Sequence, residues 1–393
     1  MEQHPLSLFI KVNLCPIPFT MRDLPIEIIN AVVENVSSLT DLLQLRSLNK
    51  AYRELVTPIA FTKLHVKNSI QSAQNLQQII AAANLAPHVR EVVYDSRDNE
   101  CFQFPPENIE IEDMFEVAEL EEALTEAFCA LDSFPRLERV VASFWPTFVS
   151  QSGKEIHENP FWFTSRQLTV IHSIYHAMKK SRMSSLSLNN VVMMPPSCYD
   201  FVSTLTNSPL SHLSLSVVPN ADISAWSGSK EINGSLGALL PLSNATLKSL
   251  ELRSPQGPYH SLETKLSSFH YPSLESLVLE NIVFDQTPSP DGLEEFVIRQ
   301  KSRLRHLELQ SCASYVSNPS TDARLWSSIW QRWMAELTSL RELVVDDDSG
   351  YVVLDADWGY VTYKSVSTTV VEDDSSSLQM FQDAIVSTCS INV

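Results

Sequence analysis

Glycine is scarce in this sequence, which has only eight glycines in 393 residues. Neither the glycine-rich loops that cradle phosphates nor the GxSxG turn of serine hydrolases occurs. His172 and His176 have the spacing of the HExxH zinc motif but lack its glutamate. Asp373 and Asp374 lie in a polar segment, without the apolar surroundings that would raise a carboxyl pKa for acid–base catalysis. We therefore expect no catalytic residues, no cofactor and no metal site.

Cysteines and long apolar runs are also few. The six cysteines are scattered, with no CxxC pair and no spacing typical of a disulfide framework. Residues 1–20 lack the basic start and apolar run of a signal peptide, and no apolar stretch approaches the ~20 residues that span a bilayer. These absences favour a protein of the cytoplasm, the nucleus or both, with no membrane partner.

Basic residues are outnumbered, because 28 Lys and Arg stand against 47 Asp and Glu and leave a formal net charge of -19. Phosphate backbones would be repelled on average, so we expect no nucleic-acid partner. Residues 98–135 contain no Lys or Arg at all. That stretch predicts either a site for a basic partner or, more commonly, a solvated helix face or loop.

Apolar residues are plentiful, at 44% of the chain. Because 393 residues are more than a domain with a single hydrophobic core usually contains, we expect more than one folded unit. In residues 21–61, two apolar stripes recur at steps of three and four residues, which is typical of amphipathic helices. The first stripe follows Pro25 and comprises Ile28, Ile29, Val32, Val33 and Val36. The second is capped by Thr40 or Asp41, is stopped by Pro58, and comprises Leu42, Leu45, Leu48 and Tyr52. A segment of about 40 residues cannot bury both stripes alone, which predicts docking onto a partner or an adjoining domain.

This helical segment also carries a family resemblance. The residues concerned are Leu24, Pro25, Glu27, Ile28, Asp41, Leu42, Leu43, Leu45, Asn49, Arg53 and Leu55. In this register the segment resembles the F-box. Many members have a tryptophan in the third helix, whereas Tyr52 and Phe61 are the aromatic residues here, as in many fungal-type members. The resemblance implies a face that packs on a Skp-family adaptor, and the positions carried over are Leu24, Pro25, Ile28, Ile29, Leu42 and Leu45. Residues 1–20 are expected to be a disordered extension.

From Phe61 onward an apolar-x-x-apolar-x-apolar pattern recurs, which predicts an internal repeat. Clear copies begin at Leu210, Leu247, Leu274, Leu304 and Leu340, and weaker ones at Phe61, Val89, Leu137 and Met183. Each copy has the period of a strand, and helical patterns such as residues 291–302 and 322–337 lie between copies. Strands that alternate with helices favour a parallel sheet.

Trp326, Trp330 and Trp333 have helical spacing and are expected to pack in the core rather than form an aromatic binding stripe.

The repeat resembles an irregular leucine-rich repeat, although only Leu304 to Cys312 has the full Leu-x-x-Leu-x-Leu-x-x-Cys form. The resemblance implies a curved solenoid over residues 62–345. Residues 346–393 are predicted to cap it with a hairpin and a helix whose Leu378, Phe381 and Ile385 point inward. The predicted fold class is therefore α+β or α/β, with a short helical F-box module over residues 21–61 followed by an irregular leucine-rich-repeat-like solenoid with a parallel sheet.

Side chains alternate along a strand, so the residues between the repeated leucines are predicted to face solvent on the concave side. The substrate-binding set taken from them is Glu251, Arg253, Val278, Glu280, Glu308, Gln310, Val344 and Asp346. Four acids against one arginine predict a negative surface, which favours a basic protein segment as the guest.

Together these patterns predict a protein–protein interaction role in protein ubiquitination. The chain would be the substrate receptor of a Skp-cullin-F-box ubiquitin ligase: the F-box binds the adaptor and, through it, a cullin, while the repeats hold a protein substrate. One alternative is an F-box scaffold that acts without a cullin. A more remote alternative is an enzyme with an unrecognised pocket.

Overall fold

The computed structural model describes residues 26–36, 38–96, 111–144, 161–192, 202, 208–218, 239–255, 259–260, 266–285, 288–316, 324–346, 349–354 and 361–391. The chain divides into two compact units, Met1–Phe61 and Thr62–Val393. Each unit is described by itself below.

The described part of the first unit is helical, with α1 (Ile26–Glu34), α2 (Leu39–Leu48) and α3 (Lys50–Ala60). The prediction that one helix follows α1 is therefore wrong, since α2 and α3 together occupy the segment of the second apolar stripe. Asn49 has an extended backbone that ends α2, and its side chain accepts the N–H of Tyr52 at 3.0 Å, which starts α3. The cap of α2 is Ser38 rather than Thr40 or Asp41. Pro58 does not stop α3, because it lies in the last turn and the helix continues to Ala60.

The second unit contains fourteen strands within the described ranges. They are β1 (Lys63–Lys67), β2 (Glu91–Asp95), β3 (Arg139–Ser143), β4 (Ser185–Val192), β5 (His212–Val218), β6 (Ser249–Arg253), β7 (Tyr259–His260), β8 (Ser276–Glu280), β9 (Ile282–Phe284), β10 (His306–Gln310), β11 (Ala313–Tyr315), β12 (Glu342–Val345), β13 (Gly350–Leu354) and β14 (Val361–Tyr363). Its helices are α4 (Ile70–Ala81), α5 (Ile111–Cys129), α6 (Phe161–Met178), α7 (Leu293–Arg299), α8 (Trp326–Glu336) and α9 (Thr368–Ile391).

Nine of these strands form one large sheet in the order β1-β2-β3-β4-β5-β6-β8-β10-β12. Each neighbouring pair is parallel, and the strands follow one another across the sheet in chain order. The prediction of a large parallel sheet in an α+β or α/β chain is confirmed. All nine repeat copies, the weak ones included, supply one strand each.

The repeated apolar residues are aligned across the sheet. The second residues of the strands pair in one row, which comprises Leu64, Val92, Val140, Leu186, Leu213, Leu250, Leu277, Leu307 and Leu343. All of them are buried except Leu343 in the edge strand β12, which is half-buried. This row and the row two residues further on form the core, since side chains two positions apart share a face.

A smaller sheet, in the order β14-β13-β11-β9-β7, was not expected except for its hairpin. Left-handed residues separate strands of the two sheets: Asn281 (φ 55°) stands between β8 and β9, and Ser311 (φ 48°) between β10 and β11. Asparagine is among the few side chains that adopt this conformation readily. The expected hairpin is present, because β13 and β14 are antiparallel.

The helices bury the faces that periodicity indicated. Trp326, Trp330 and Trp333 of α8 are at most 3% exposed, so they are core residues, as expected. Phe381 and Ile385 of α9 are buried and Leu378 is half-buried. The acidic stretch includes α5, on which Glu119, Glu122 and Glu126 are exposed. Among the described helices, none has the length and apolar character needed to cross a bilayer.

Candidate functional site

The helical unit has a small core and a large apolar surface. Its core comprises Val33, Leu42, Val56 and Ala60. Half of the large apolar side chains that are exposed in the described part of the chain belong to this unit, and they are Ile28, Val32, Leu39, Leu43, Leu48 and Ile59. Their exposure runs from 39% for Ile59 to 60% for Leu48. This unit is therefore the first candidate interaction surface.

The exposed residues have the spacing of helix faces. Ile28 and Val32 lie four residues apart on α1, and Leu39 and Leu43 lie four residues apart on α2. Residues at that spacing are neighbours on one side of a helix. Each helix therefore presents a pair of apolar side chains to solvent.

The structure distributes the predicted adaptor-binding residues unevenly. Ile28 is 49% exposed. Ile29 and Leu45 are half-buried against the core of the unit, and Leu42 belongs to that core at 6% exposure. Leu24 and Pro25 lie outside the described residues. Leu42 therefore supports the surface from beneath rather than offering a side chain to a partner.

Sequence reasoning left Val32, Leu39, Leu43 and Leu48 out of the adaptor-binding set. Val32 and Leu48 were in the predicted stripes, and Leu43 was among the residues that carry the resemblance. Periodicity shows that a helix has an apolar face, but it does not show which part of a wide face the neighbouring helices cover.

The second candidate surface is the open face of the large sheet, formed by the first, third and fifth residues of each strand. The third residues from β4 to β12 pair across the sheet in the order Ser187, Ser214, Glu251, Val278, Glu308 and Val344. The alternation expected from the sequence is present, with the leucines of the same strands buried.

Arg253 organises the charges at the centre of this face. Its Nη1 lies 3.2 Å from Glu280 Oε2 and its Nη2 lies 3.3 Å from Glu251 Oε2. Ser214 Oγ also donates to Glu251 Oε2 at 2.9 Å. Arg253 therefore bridges two neighbouring strands and leaves little free positive charge at this point.

Beyond Arg253 the face is acidic. We call Glu251, Glu280, Glu308, Glu342 and Asp346 the acidic half of the open face. His306 lies between two of these carboxylates, with Nδ1 at 2.9 Å from Glu342 Oε2 and Nε2 at 3.4 Å from Glu308 Oε2. Arg253 is the only arginine or lysine at the open-face positions of β6, β8, β10 and β12. The expected negative surface thus corresponds to one half of the face.

The other predicted substrate-binding residues differ in their exposure and in their hydrogen bonds. Val344 is 39% exposed, whereas Val278 is only 6% exposed. Gln310 Nε2 donates to Glu308 Oε1. Asp346 Oδ2 accepts the N–H of Ser311 at 2.7 Å, so it also stabilises the left-handed turn at that residue. Val344 is therefore the better apolar anchor of the two valines.

Cys312, His172 and His176 are side chains of the kinds that catalytic and metal sites use, and each lies among the described residues. Burial raises the pKa of Cys312 to about 12, and its Sγ lies 3.4 Å from the carbonyl oxygen of Leu279. Such a thiol is a structural group rather than a nucleophile. His172 and His176 are exposed on α6. Within the described ranges, no group of three or more potential ligand side chains could hold a metal ion.

Comparisons with known proteins do not assign a family. No protein-family model matches the chain, and no curated protein matches it either. Among solved structures, xylanase B from Clostridium stercorarium F9 is similar over 72% of this chain and 84% of that chain, at 10% sequence identity and a TM-score of 0.15. A TM-score of this size carries no argument about fold or activity.

Proposed function

We propose that this chain is a non-catalytic substrate receptor of a Skp-cullin-F-box type ubiquitin ligase. The helical unit is an F-box-like module that docks on a Skp-family adaptor, and the sheet unit is an irregular leucine-rich-repeat-like solenoid that holds a protein substrate. The proposal places the protein in the cytoplasm, the nucleus or both. A separate enzyme supplies the ubiquitin thioester, so the chain contributes proximity rather than chemistry.

One observation carries the docking half of the proposal. A unit with a core of four buried apolar residues leaves six large apolar side chains exposed, among them Ile28 at the position the F-box resemblance assigns to the adaptor. Burying a fully exposed side chain of this size contributes about 1.5–3 kcal/mol, so covering side chains that are about half exposed contributes roughly 1 kcal/mol each. A partner surface is therefore the favourable place for them.

The receptor half is supported by the sheet. Nine parallel strands follow one another in chain order, with a row of repeated apolar residues on one side and mainly polar and charged residues on the other. Stacked repeats of this kind present an extended surface for protein partners.

The docking claim can be tested with Ile28→Asp in a binding assay against a purified Skp-family adaptor. We expect the substitution to weaken adaptor binding by about tenfold or more, because a carboxylate buried in an apolar interface without a partner is costly. Val386→Asp is the matched control, since Val386 is 65% exposed in α9, outside the helical unit. Normal adaptor binding by the Ile28→Asp protein would remove the F-box assignment.

A further inference from the structure

The open face has a second region that differs from its acidic half. A groove of about 370 Å³ lies over β3–β6. We call it the polar groove, and its lining includes Arg139, Ser185, Ser187, His212, Ser214 and Ser249. Glu251 and Arg253 form its border with the acidic half. Hydroxyl groups and nitrogen donors therefore dominate the groove, in contrast to the carboxylates beside it.

Arg139 is the available cation of the polar groove. It is exposed at the start of β3, and its guanidinium makes no hydrogen bond or ion pair with any of the described residues. The acids nearest to it along the chain and across the sheet are engaged elsewhere: Glu138 pairs with Arg90 at 2.7 Å, and Glu91 pairs with Lys63 at 3.2 Å. Arg253, by contrast, is already shared by Glu251 and Glu280.

We propose that the polar groove binds an Asp or Glu carboxylate of a partner protein segment. The Lys or Arg residues of the same segment bind to the acidic half of the open face. This inference rests on the proposed function, because it names the substrate class of the same face. A guanidinium presents two parallel N–H groups that match one planar carboxylate. Ser185 lies opposite Arg139 on the adjacent strand and adds a hydroxyl donor. The carboxylate of Glu251 at the border repels a dianionic phosphate more strongly than it repels a singly charged carboxylate.

The sheet fixes the spacing of the guest's charges. Arg139 is on β3, Glu251 is three strands away on β6, and Glu308 is five strands away on β10. Adjacent strands are about 4.8 Å apart, so these separations are about 14 Å and 24 Å. An extended segment advances about 3.3 Å per residue, so its Asp or Glu should stand about four to seven residues from its Lys or Arg.

The test uses synthetic extended peptides and fluorescence anisotropy at low ionic strength with the full chain. One peptide carries Asp and two Lys at the predicted spacing, in both chain directions. Matched peptides replace Asp with Asn, replace Asp with phosphoserine, or replace both Lys with Gln. We expect the Asp peptide to bind the wild-type protein about fivefold more tightly than the Asn peptide, a size typical of one exposed charge-assisted contact.

Arg139→Gln should abolish the preference for Asp over Asn but keep the preference for Lys over Gln. Arg136→Gln is the matched control, because Arg136 is exposed in the turn before β3 and does not line the groove, and it should keep both preferences. Equal binding of the Asp and Asn peptides by the wild-type protein would overturn the inference. So would tighter binding of the phosphoserine peptide, or an unchanged Asp preference in Arg139→Gln.

The same data separate this inference from the proposed function. A preference for Lys without a preference for Asp would overturn the claim that the polar groove binds a carboxylate. It would leave intact the claim that the acidic half binds a basic segment. Failure of every peptide to bind overturns both claims about the open face. Adaptor docking is measured independently through Ile28→Asp and is not affected by either result.

Discussion

At the scale of single residues, Asp285 shows how the fold uses a half-buried carboxyl group. Gly292 precedes α7 and has no side chain to cap it, and the carboxylate of Asp285 accepts the N–H of Leu293 instead. A Cβ atom at position 292 would lie 2.6 Å from Asp285 Oδ2, so a larger residue there would displace the carboxylate that caps α7. Burial raises the pKa of Asp285 above its ordinary 3.8, with the Leu293 N–H opposing the shift and Glu294 adding to it.

A pH prediction follows from the raised pKa of Asp285. A group with a raised folded-state pKa contributes stability that is present below its unfolded pKa and is lost as pH rises through the folded value. The difference between the free energy of unfolding of the wild type and that of Asp285→Asn should therefore increase on acidification from neutral pH towards pH 3.8. Urea unfolding at several pH values measures it, with Asp373→Asn, an exposed site, as the control. Parallel pH profiles for wild type and Asp285→Asn would contradict the prediction.

At the scale of elements, the sequence predicted the strands and helices in which apolar residues recur with a regular period. The strands of the large sheet follow from alternation in segments such as β6 and β10, where every second residue is buried. The strands β7, β9 and β11 have two or three residues each, which is too short for a period to be recognised. The break between α2 and α3 lies at Asn49, whose extended backbone and capping side chain are a local signal that the continuous apolar stripe concealed.

The candidate surfaces were predictable to a similar extent. Alternation along β6, β8 and β10 was enough to assign Glu251, Glu280 and Glu308 to the open face. The polar groove was not predictable, because it depends on which strands become neighbours and on which acids already have partners. Arg139 is therefore a residue that sequence reasoning missed.

The start of α8 yields a prediction at the same scale. Its N-cap residue, Leu325, makes no side-chain cap. The N–H of Ser327 donates to Asp374 Oδ1 at 2.6 Å, the N–H of Trp326 donates to Tyr351 Oη at 2.9 Å, and Tyr351 donates to Asp374 Oδ2 at 2.6 Å. Asp374 of α9 thus caps a helix distant in the chain.

Asp374→Ala should lower the free energy of unfolding by about 1–3 kcal/mol, because it leaves a part-buried N–H and a tyrosine hydroxyl without acceptors. Asp373→Ala is the neighbouring exposed control and should change stability by less than about 0.5 kcal/mol. Urea or thermal unfolding of the two variants decides the point. Equal losses in both would show that general helix charge, rather than the cap, is responsible.

At the scale of the whole molecule, charge is distributed in a way that the net value of -19 does not reveal. The acidic half joins four neighbouring strands of one sheet. Such a surface mainly speeds the encounter with a basic partner, and its reach is about 8 Å at physiological salt.

Reversal of Glu280 and Glu308 to Lys should therefore slow association of the Lys-bearing Asp peptide and remove the dependence of its association rate on salt. Apolar contacts such as Val344 should keep the dissociation rate within about threefold of wild type, since charges at a rim act chiefly on association. Stopped-flow fluorescence over a salt series measures both rates. An unchanged association rate with no salt dependence in the wild-type protein would remove the acidic half from the binding surface.

The central claim, that this chain connects a substrate to a ubiquitin-ligase scaffold, is tested most directly by affinity purification from cells followed by mass spectrometry. The account predicts recovery of a Skp-family adaptor together with a cullin, and loss of both with the Ile28→Asp protein. Recovery of the adaptor without a cullin would favour the cullin-independent scaffold instead. Recovery of neither from the wild-type protein would contradict the account.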